Sequence, residues 1–303
     1  MSSSFEQHRP GRLRGRRVFL SASVPVPERA ARYRRVADAH LEIEEAVVSL
    51  ARAVFTEGGT LVFGGHPAIS PLVAVVAGEY ITPRDVGAIA PQMGVAAESN
   101  TPGVVEQAGN RGVPGGKPVL STLIWIYQSR AYEGHVPDET TLMFRAGYAE
   151  LRWTNAVNGE RYDERRRGQP QCTESLRHMR ERMIEETAPA AMVCIGGMEG
   201  VEQEVEIFQQ RGRGAPIYVF GETGGAAALM AERSPGGASS LRVIDREVLA
   251  RLAPLRHSRE RGQETALLRS EQRSPPRRAQ EGSPVPYPLI AQLLVAELAQ
   301  DSG

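Results

Sequence analysis

Hydrophobic residues along the chain follow two patterns, short continuous runs and stretches in which they recur every three or four positions. Continuous runs are typical of strands buried on both faces, and the wider spacing is typical of helices with one buried side. The predicted strands are residues 17–21, 60–63, 123–127, 191–195, 216–220 and 241–244. The predicted helices are residues 28–56, 71 onward, 175–186, 201–208, 226–232, 245–252 and 288–298. Residues 82–117 and the stretch around 151–154 show neither pattern clearly and are predicted as loops.

The order of these elements predicts the fold class. Strands alternate with amphipathic helices, and parallel neighbours in a sheet need a crossover that is usually a helix. We therefore expect an α/β protein, with a doubly wound, mostly parallel sheet in a single domain.

The ends of the chain differ from this domain in composition. Residues 1–15 are polar and Arg-rich and are predicted to be a disordered arm before a domain spanning 16–252. Residues 253–286 combine Arg and Glu with Ser, Gln and Pro, and contain too few apolar residues to offset the entropy of ordering. They are predicted to be a disordered linker. Residues 287–300 regain helical spacing and are expected to pack back on the domain.

The charge balance and the cysteine content limit the classes of partner and site. The 36 basic and 36 acidic side chains cancel, so no overall field attracts nucleic acid or an anionic membrane, and neither partner is expected. The sequence contains neither a membrane-length apolar run nor a secretory signal pattern, which favours a cytoplasmic location. The 2 cysteines, Cys172 and Cys194, are too few for a disulfide framework and lack the spacing of a metal site. No metal and no cofactor are expected.

Small polar residues and glycines follow the predicted strands. In a parallel sheet, ligands bind outside the carboxyl ends of the strands, where a glycine turn allows close approach and the next helix offers free N–H groups. Phosphate or carboxylate groups suit such turns, although a glycine pair is also what a tight turn alone requires. The candidate ligand-binding residues are Ser21, Ser23, Gly64, Gly65, His66, Ser70, Gln128, Ser129, Arg130, Gly196, Gly197, Met198, Gly200, Glu222, Thr223, Gly224 and Gly225.

The familiar phosphate-binding fingerprints are missing. The sequence contains neither G-x-G-x-x-G nor G-x-x-x-x-G-K-[ST], and its single lysine is Lys117. Backbone N–H groups at Gly196 and Gly197 are therefore predicted to be the main anion donors, with Arg130 as a supplement.

Four segments resemble the SLOG superfamily of Rossmann-like domains. They are Arg17 to Ser23, Val62 to Pro71, Ile126 to Ser129, and Ile195 to Glu204. That superfamily includes the Lonely Guy phosphoribohydrolases, the Smf/DprA proteins and ligand-sensing domains of prokaryotic defence systems. The resemblance is closest to the branch associated with these conflict systems. It implies a Rossmann-like fold over residues 16–252, a nucleotide-derived ligand such as ADP-ribose, a homo-oligomer and a separate effector protein.

The same resemblance leaves binding and catalysis as alternatives. Lonely Guy enzymes carry P-G-G-x-G-T-x-x-E, whereas this chain has Ile195 for the proline, two residues between the glycines and Val201 for the threonine. Glu204 keeps the position of the family acid. The interpretation that leads is a sensor of a nucleotide-derived signal. The alternative is a nucleotide N-glycosidase or phosphoribohydrolase in which Glu204 or Glu199 stabilises the sugar, and a third is a scaffold with a vestigial pocket.

Overall fold

Strands and helices alternate through the computed structural model, which describes residues 11–26, 32–33, 40–80, 123–145, 147–166, 169–234, 241–254 and 284–300. The strands are β1 (Arg17–Ser23), β2 (Thr60–Gly64), β3 (Ile124–Ser129), β4 (Ala149–Thr154), β5 (Ala191–Gly196), β6 (Ile217–Phe220) and β7 (Leu241–Val243). The helices are α1 (His40–Thr56), α2 (Ser70–Tyr80), α3 (Asp138–Arg145), α4 (Thr173–Thr187), α5 (Glu199–Arg211), α6 (Gly225–Arg233), α7 (residues 244–254) and α8 (Tyr287–Gln300). Within these ranges, no helix is both long enough and apolar enough to cross a membrane.

All seven described strands form one parallel sheet in the order β4-β3-β2-β1-β5-β6-β7. The chain runs outward from β1 to β4, then crosses back to add β5 on the other side of β1. Helices cover both faces. The predicted Rossmann-like, doubly wound α/β fold is confirmed, and the reversal of strand order lies between β1 and β5.

The core has one apolar layer on each face of this sheet. Val18 and Leu20 of β1 point to the layer that includes α1, α2 and α8, and Phe19 points to the layer that includes α4, α5 and α6. All six residues of β5 are buried. A strand buried on both faces reads as a continuous apolar run, which explains why the sequence identified β5 so clearly.

The prediction of a loop around residues 151–154 was wrong. Residues 149–154 form β4, which pairs in parallel with β3 at the edge of the sheet. The four central residues of β4 are only partly buried, and two of them, Glu150 and Arg152, form an ion pair at 2.8 Å. An edge strand of this kind lacks the continuous apolar run of a central strand, so the pattern did not reveal it.

The predicted N-terminal arm also differs from the structure at residues 11–15. These residues form a turn against the end of α1, in which Leu13 is fully buried and its N–H donates to the carbonyl oxygen of Glu57 at 2.8 Å. Arg12 adds an ion pair with the Glu57 carboxylate at 2.7 Å. A single buried leucine and one ion pair thus order a segment whose composition is polar.

Several sequence predictions concern residues that the structure does not describe. They include residues 1–10 of the arm, the predicted loops at 82–117 and most of the predicted linker, residues 255–283. Of the predicted linker, residues 253 and 254 are helical and belong to α7, and residues 284–286 lead into α8.

The C-terminal helix α8 packs beside α1 on one face of the sheet. Ile290, Leu294 and Leu298 are buried there. The hydroxyl of Tyr218 donates to Glu297 Oε1 at 2.8 Å, which ties the outer part of the helix to β6. The helix therefore completes a layer that α1 and α2 alone leave open.

We expect Leu294→Ala to lower the free energy of unfolding by about 3 kcal/mol, because it leaves a cavity at a fully buried position. Gln292→Ala, on the exposed side of the same helix, should change it by less than about 0.5 kcal/mol. Urea unfolding followed by circular dichroism measures both. Equal, small effects of the two substitutions would show that α8 is not docked as described.

Candidate functional site

The four predicted strand ends lie along one edge of the sheet. Because β1, β2, β5 and β6 are parallel, the turns that follow them are all at the carboxyl edge. Ser23 of β1 lies opposite Gly196 of β5 in the register. The crevice expected where strand order reverses is therefore bordered by these two residues.

Two glycines turn the chain sharply from β5 into α5. Gly196 and Gly197 have φ values of 59° and 87°, in the region that side-chain-bearing residues avoid. The Gly197 N–H donates to the carbonyl oxygen of Ser23 at 2.7 Å, and the Gly196 N–H donates to Thr223 Oγ1 at 2.8 Å. Both N–H groups predicted to be the main anion donors are thus bonded within the protein, and their ligand contacts would require these bonds to break.

The first turn of α5 provides different N–H groups. Among the described residues, the amides of Glu199 and Gly200 have no hydrogen-bond partner. Such groups are left over at the start of every helix and carry the positive end of its dipole. An anion at this turn would therefore meet the amides of Glu199 and Gly200 without displacing a protein hydrogen bond.

The turn after β6 is hydrogen-bonded to the turn after β5. Thr223 is fully buried, and its hydroxyl donates to the carbonyl oxygen of Phe220 at 2.6 Å while accepting from Gly196. The Ala226 N–H donates to the Gly197 carbonyl oxygen at 2.8 Å. A Cβ on Gly225 would lie 2.4 Å from that same oxygen. These contacts join the two turns, and ligand contact by Thr223 or Gly225 stays a prediction.

Asp245 fixes the far side of the β6 turn. Its carboxylate accepts from the Glu222 N–H at 2.7 Å and from the Arg246 N–H at 2.8 Å, and burial raises its pKa above the usual value. The short 3-10 helix Gly221–Thr223 is held in place by this contact.

Glu204 of α5 and Arg180 of α4 form a largely buried ion pair near the carboxyl end of β1. Their side chains are 13% and 12% exposed, and Arg180 Nε donates to Glu204 Oε1 at 3.1 Å. The Ser21 hydroxyl donates to the other oxygen, Oε2, at 2.5 Å. Both oxygens of the family acid are therefore occupied within the protein.

Arg180 also reaches the first turn of α5. Its Nη1 donates to Gln203 Oε1 at 3.0 Å, and a Cβ built on Gly200 would lie 3.3 Å from its Nη2. The guanidinium thus lies beside the helix start whose N–H groups are free. Sequence reasoning missed this residue because no motif contains it. One signal was available, since Arg180 is four residues from both Leu176 and Ile184 and so lies along the buried stripe of α4.

Residues 24–26 and 32–33 lie against the same helix start. The Val26 N–H donates to the sulfur of Met198 at 3.3 Å, and the Tyr33 hydroxyl donates to Glu202 Oε2 at 2.8 Å. The predicted ligand residue Met198 is buried by these contacts.

The ends of β2 and β3 contact each other through predicted site residues. Gln128 Nε2 donates to the Gly65 carbonyl oxygen at 3.3 Å, and a Cβ on Gly65 would lie 2.6 Å from that nitrogen. His66 Nδ1 accepts from the Ala68 N–H at 3.2 Å, a local turn contact. Gly64, at the end of β2, is partly exposed.

Two predicted serines in this region are fully buried. Ser70 accepts a hydrogen bond from the Thr140 hydroxyl at 3.2 Å, and Ser129 accepts from the Ala131 N–H at 3.2 Å. Both support the turns around the site, and ligand contact by either side chain stays a prediction.

Three further predicted side chains form ion pairs at the surface. They are Arg130 with Glu133 at 3.0 Å, Glu222 with Arg246 at 3.3 Å, and Glu199 with Arg32 at 3.9 Å. Each acidic or basic group is exposed enough to exchange its partner for a ligand. Arg130 follows β3, two strands away from the β1–β5 crevice.

The cysteines do not resemble nucleophiles. Both are buried, and burial raises the pKa of the Cys172 and Cys194 thiols above the usual value, which disfavours the reactive thiolate. Within the described ranges, no group of three or more His, Cys, Asp and Glu residues could hold a metal ion.

A family model described as the SLOG cluster3 family matches residues 32–87 and 116–246, more than half of the chain. The chain belongs to the SLOG cluster3 family. The resemblance to the SLOG superfamily is thereby confirmed, and membership indicates a nucleotide-related function. No curated protein and no solved structure matches the chain.

The residues matched by the family model include only part of the candidate site of this SLOG protein. They include Arg180, Glu204 and the turns after β2, β5 and β6, whereas β1 with Ser21 and Ser23 precedes them and α8 follows them. The ion pair and the start of α5 therefore lie within the residues that the family model matches.

We expect Gly197→Ala to lower the free energy of unfolding by about 3 kcal/mol, from the positive φ and from overpacking. Its Cβ would lie 2.2 Å from Val201 Cγ2. Gly159→Ala is the matched control, because Gly159 has a φ of 69° and open space around its Cβ position. It should lose only about 1 kcal/mol. If urea unfolding gives equal losses for both, the turn is not packed as tightly as described.

We expect Thr223→Val to lower the free energy of unfolding by about 2 kcal/mol, because it leaves the buried Gly196 N–H without an acceptor. Thr223→Ser keeps the hydroxyl and should retain most of the stability. Thermal unfolding of the two variants compares them. Greater stability of the valine variant would contradict the role assigned to this hydrogen bond.

Proposed function

We propose that this SLOG protein binds a nucleotide-derived ligand, ADP-ribose or a related molecule, in the crevice between β1 and β5. Membership of the SLOG cluster3 family supports a nucleotide-related role. In this proposal the bound molecule is a signal for a separate effector protein in a prokaryotic defence or signalling system.

The observation that carries the proposal is the position of Arg180. Its guanidinium lies beside Gly200, at the helix start where the Glu199 and Gly200 amides are free. A helix N-terminus and a neighbouring guanidinium can both bind phosphate oxygens, with dipole and charge acting together. Arg180 thus supplies the cation that the sequence lacks in the form of a phosphate-binding lysine.

The sugar is assigned to Glu204 and Ser21. Glu204 of α5 lies against Ser21 of β1, and a carboxylate and a hydroxyl there can accept from and donate to ribose hydroxyls. Glu204 is held by Arg180, so a phosphate that draws Arg180 toward itself would release one carboxylate oxygen for a hydroxyl.

Binding is favoured over hydrolysis by the state of Glu204. Both of its oxygens have protein partners, and the Lonely Guy motif around it is altered at three places. The N-glycosidase alternative remains chemically defined, because Glu204 lies at the crevice and a freed carboxylate there could stabilise an oxocarbenium-like sugar.

The test starts with a thermal-shift screen of the full chain against AMP, ADP, NAD and ADP-ribose, followed by calorimetry on the compound that stabilises most. The bound compound is then recovered and analysed by chromatography. Intact compound supports binding alone. Release of a free base that Glu204→Gln abolishes would establish the hydrolase instead, and stabilisation by none of the four compounds would contradict both.

We expect Arg180→Gln to weaken binding of the selected nucleotide at least about tenfold, which corresponds to ~1.4 kcal/mol. Arg177→Gln is the matched control, because Arg177 lies three residues earlier on α4 with its side chain 68% exposed. The control should bind like the parent. Equal affinities of the parent, Arg177→Gln and a folded Arg180→Gln would remove the observation on which the site rests.

A further inference from the structure

Three aromatic rings meet in the segments that follow β3 and β4. Tyr132 belongs to the short 3-10 helix after β3, and its ring stacks on that of Tyr162, with the ring centroids 5.0 Å apart and the planes 27° apart. The ring of His135 makes a T-shaped contact with Tyr162, also with the centroids 5.0 Å apart. These three residues are called the aromatic cluster below.

The aromatic cluster lies outside the hydrophobic core. None of its members belongs to the apolar layer on either face of the sheet. The stacked rings of Phe19 and Phe208, in contrast, are both buried within one of these layers. The two tyrosines of the cluster are partly exposed, and His135 is exposed. The cluster is therefore accessible to a planar molecule from solvent.

The segment that carries Tyr162 is also held by hydrogen bonds that do not involve the rings. The Tyr162 N–H donates to the carbonyl oxygen of Ala131 at 2.8 Å, and the Asp163 N–H donates to Gln171 Oε1 at 2.9 Å. Because these bonds remain when a ring is replaced, we expect the backbone of this region to stay in place in variants of the cluster.

The aromatic cluster lies at the same edge of the sheet as the crevice between β1 and β5. The strands are parallel, and β3 is two strands away from β1. Adjacent strands are about 4.8 Å apart, so the separation across the sheet is about 10 Å. Burial raises the pKa of Tyr132 to about 12, and the positive charge of Arg180 is near enough to act in the opposite direction. Groups bound at Arg180 and at the cluster can therefore belong to one nucleotide, in which a ribose joins the phosphate to the base.

Aromatic rings suit a different part of a nucleotide from the part that suits Arg180. Every nucleobase has a π-face, and it stacks on tyrosine and histidine rings whatever its hydrogen-bonding pattern. Phosphate and ribose have no such face. The base is therefore the part of the ligand that the cluster can bind.

We propose that the aromatic cluster binds the base of the nucleotide-derived ligand by stacking, so that Tyr162 and His135 set the preference for a nucleotide over a sugar phosphate. This inference rests on the function proposed above, because it takes the phosphate to be bound at Arg180. All three residues of the cluster lie within the residues that the family model matches.

Isothermal titration calorimetry of the full chain with AMP and with ribose 5-phosphate tests the proposal, because ribose 5-phosphate lacks the base. The parent should bind AMP at least about tenfold more tightly than ribose 5-phosphate. His135→Ala and Tyr162→Leu should each lose most of this preference through weaker binding of AMP, whereas their affinity for ribose 5-phosphate should equal that of the parent. Circular dichroism establishes that each variant is folded.

Tyr80→Leu is the matched control. Tyr80 also makes a T-shaped ring contact, with Phe55, but its hydroxyl lies 2.8 Å from Thr56 Oγ1, at the opposite edge of the sheet from the crevice. This variant should bind both compounds like the parent.

Proton NMR provides a measurement that a purely structural role of the cluster would not change. A base stacked on His135 shifts its ring protons upfield through the ring current of the base. The chain has 6 histidines, and the His135 signals are identified by their loss in His135→Ala. AMP should shift these signals, and ribose 5-phosphate should not.

Three results would overturn the proposal. They are equal affinities of the parent for AMP and ribose 5-phosphate, full retention of the preference for AMP in both folded variants, and an equal loss of affinity for both compounds in those variants. A parallel titration with ADP-ribose separates this inference from the proposed function. Binding of ADP-ribose together with any of the three results leaves the proposed function in place, whereas a parent that binds none of the three compounds contradicts both.

Discussion

The parallel pairing of β1 with β5 is the constraint on which the site depends. Six residue pairs join the two strands, from Val18 opposite Ala191 to Ser23 opposite Gly196. The chain leaves β1 toward one edge of the sheet and leaves β5 toward the other, so their following helices diverge and a crevice opens between them. That pairing places Ser21 and Ser23 beside the glycine turn and the start of α5. If the register slipped by one residue, Ser21 would face the opposite side of the sheet and lose Glu204.

Gly196 and Gly197 at this edge have a structural role in the turn, whether or not a ligand binds there. Gly196 and Gly197 allow the chain to turn, and their N–H groups then bond to Thr223 and Ser23. A buried N–H left without a partner is costly, so a turn this tight must satisfy its own amides. The amides that remain for a ligand are those of the next residues, at the start of α5. A glycine-rich turn and an anion site can therefore be adjacent without being made of the same atoms.

The sequence was informative where a pattern is local and weak where a feature depends on packing. Strand β5 and its glycine turn were predicted because a continuous apolar run followed by Gly-Gly has few other meanings. The edge strand β4 was missed because its four central residues are only partly buried, so it lacks a continuous apolar run. Arg180 was missed because only the fold brings α4 next to the start of α5. The order of residues 11–15 depends on Leu13 reaching a core built by other elements.

The ion pair of Arg180 with Glu204 adds an energetic cost to ligand binding in the proposed site, because the ligand must replace the partner of each charge. Each side chain is almost nine-tenths hidden, so breaking the pair without replacing it would leave a poorly solvated charge. A phosphate can take Arg180 only if something else satisfies Glu204, and a sugar hydroxyl can do so by donating a hydrogen bond. A molecule that carries both groups can satisfy the two charges together, whereas inorganic phosphate or a free nucleoside satisfies only one. In the proposed mode of binding, this ion pair therefore favours ligands in which phosphate and ribose are covalently joined.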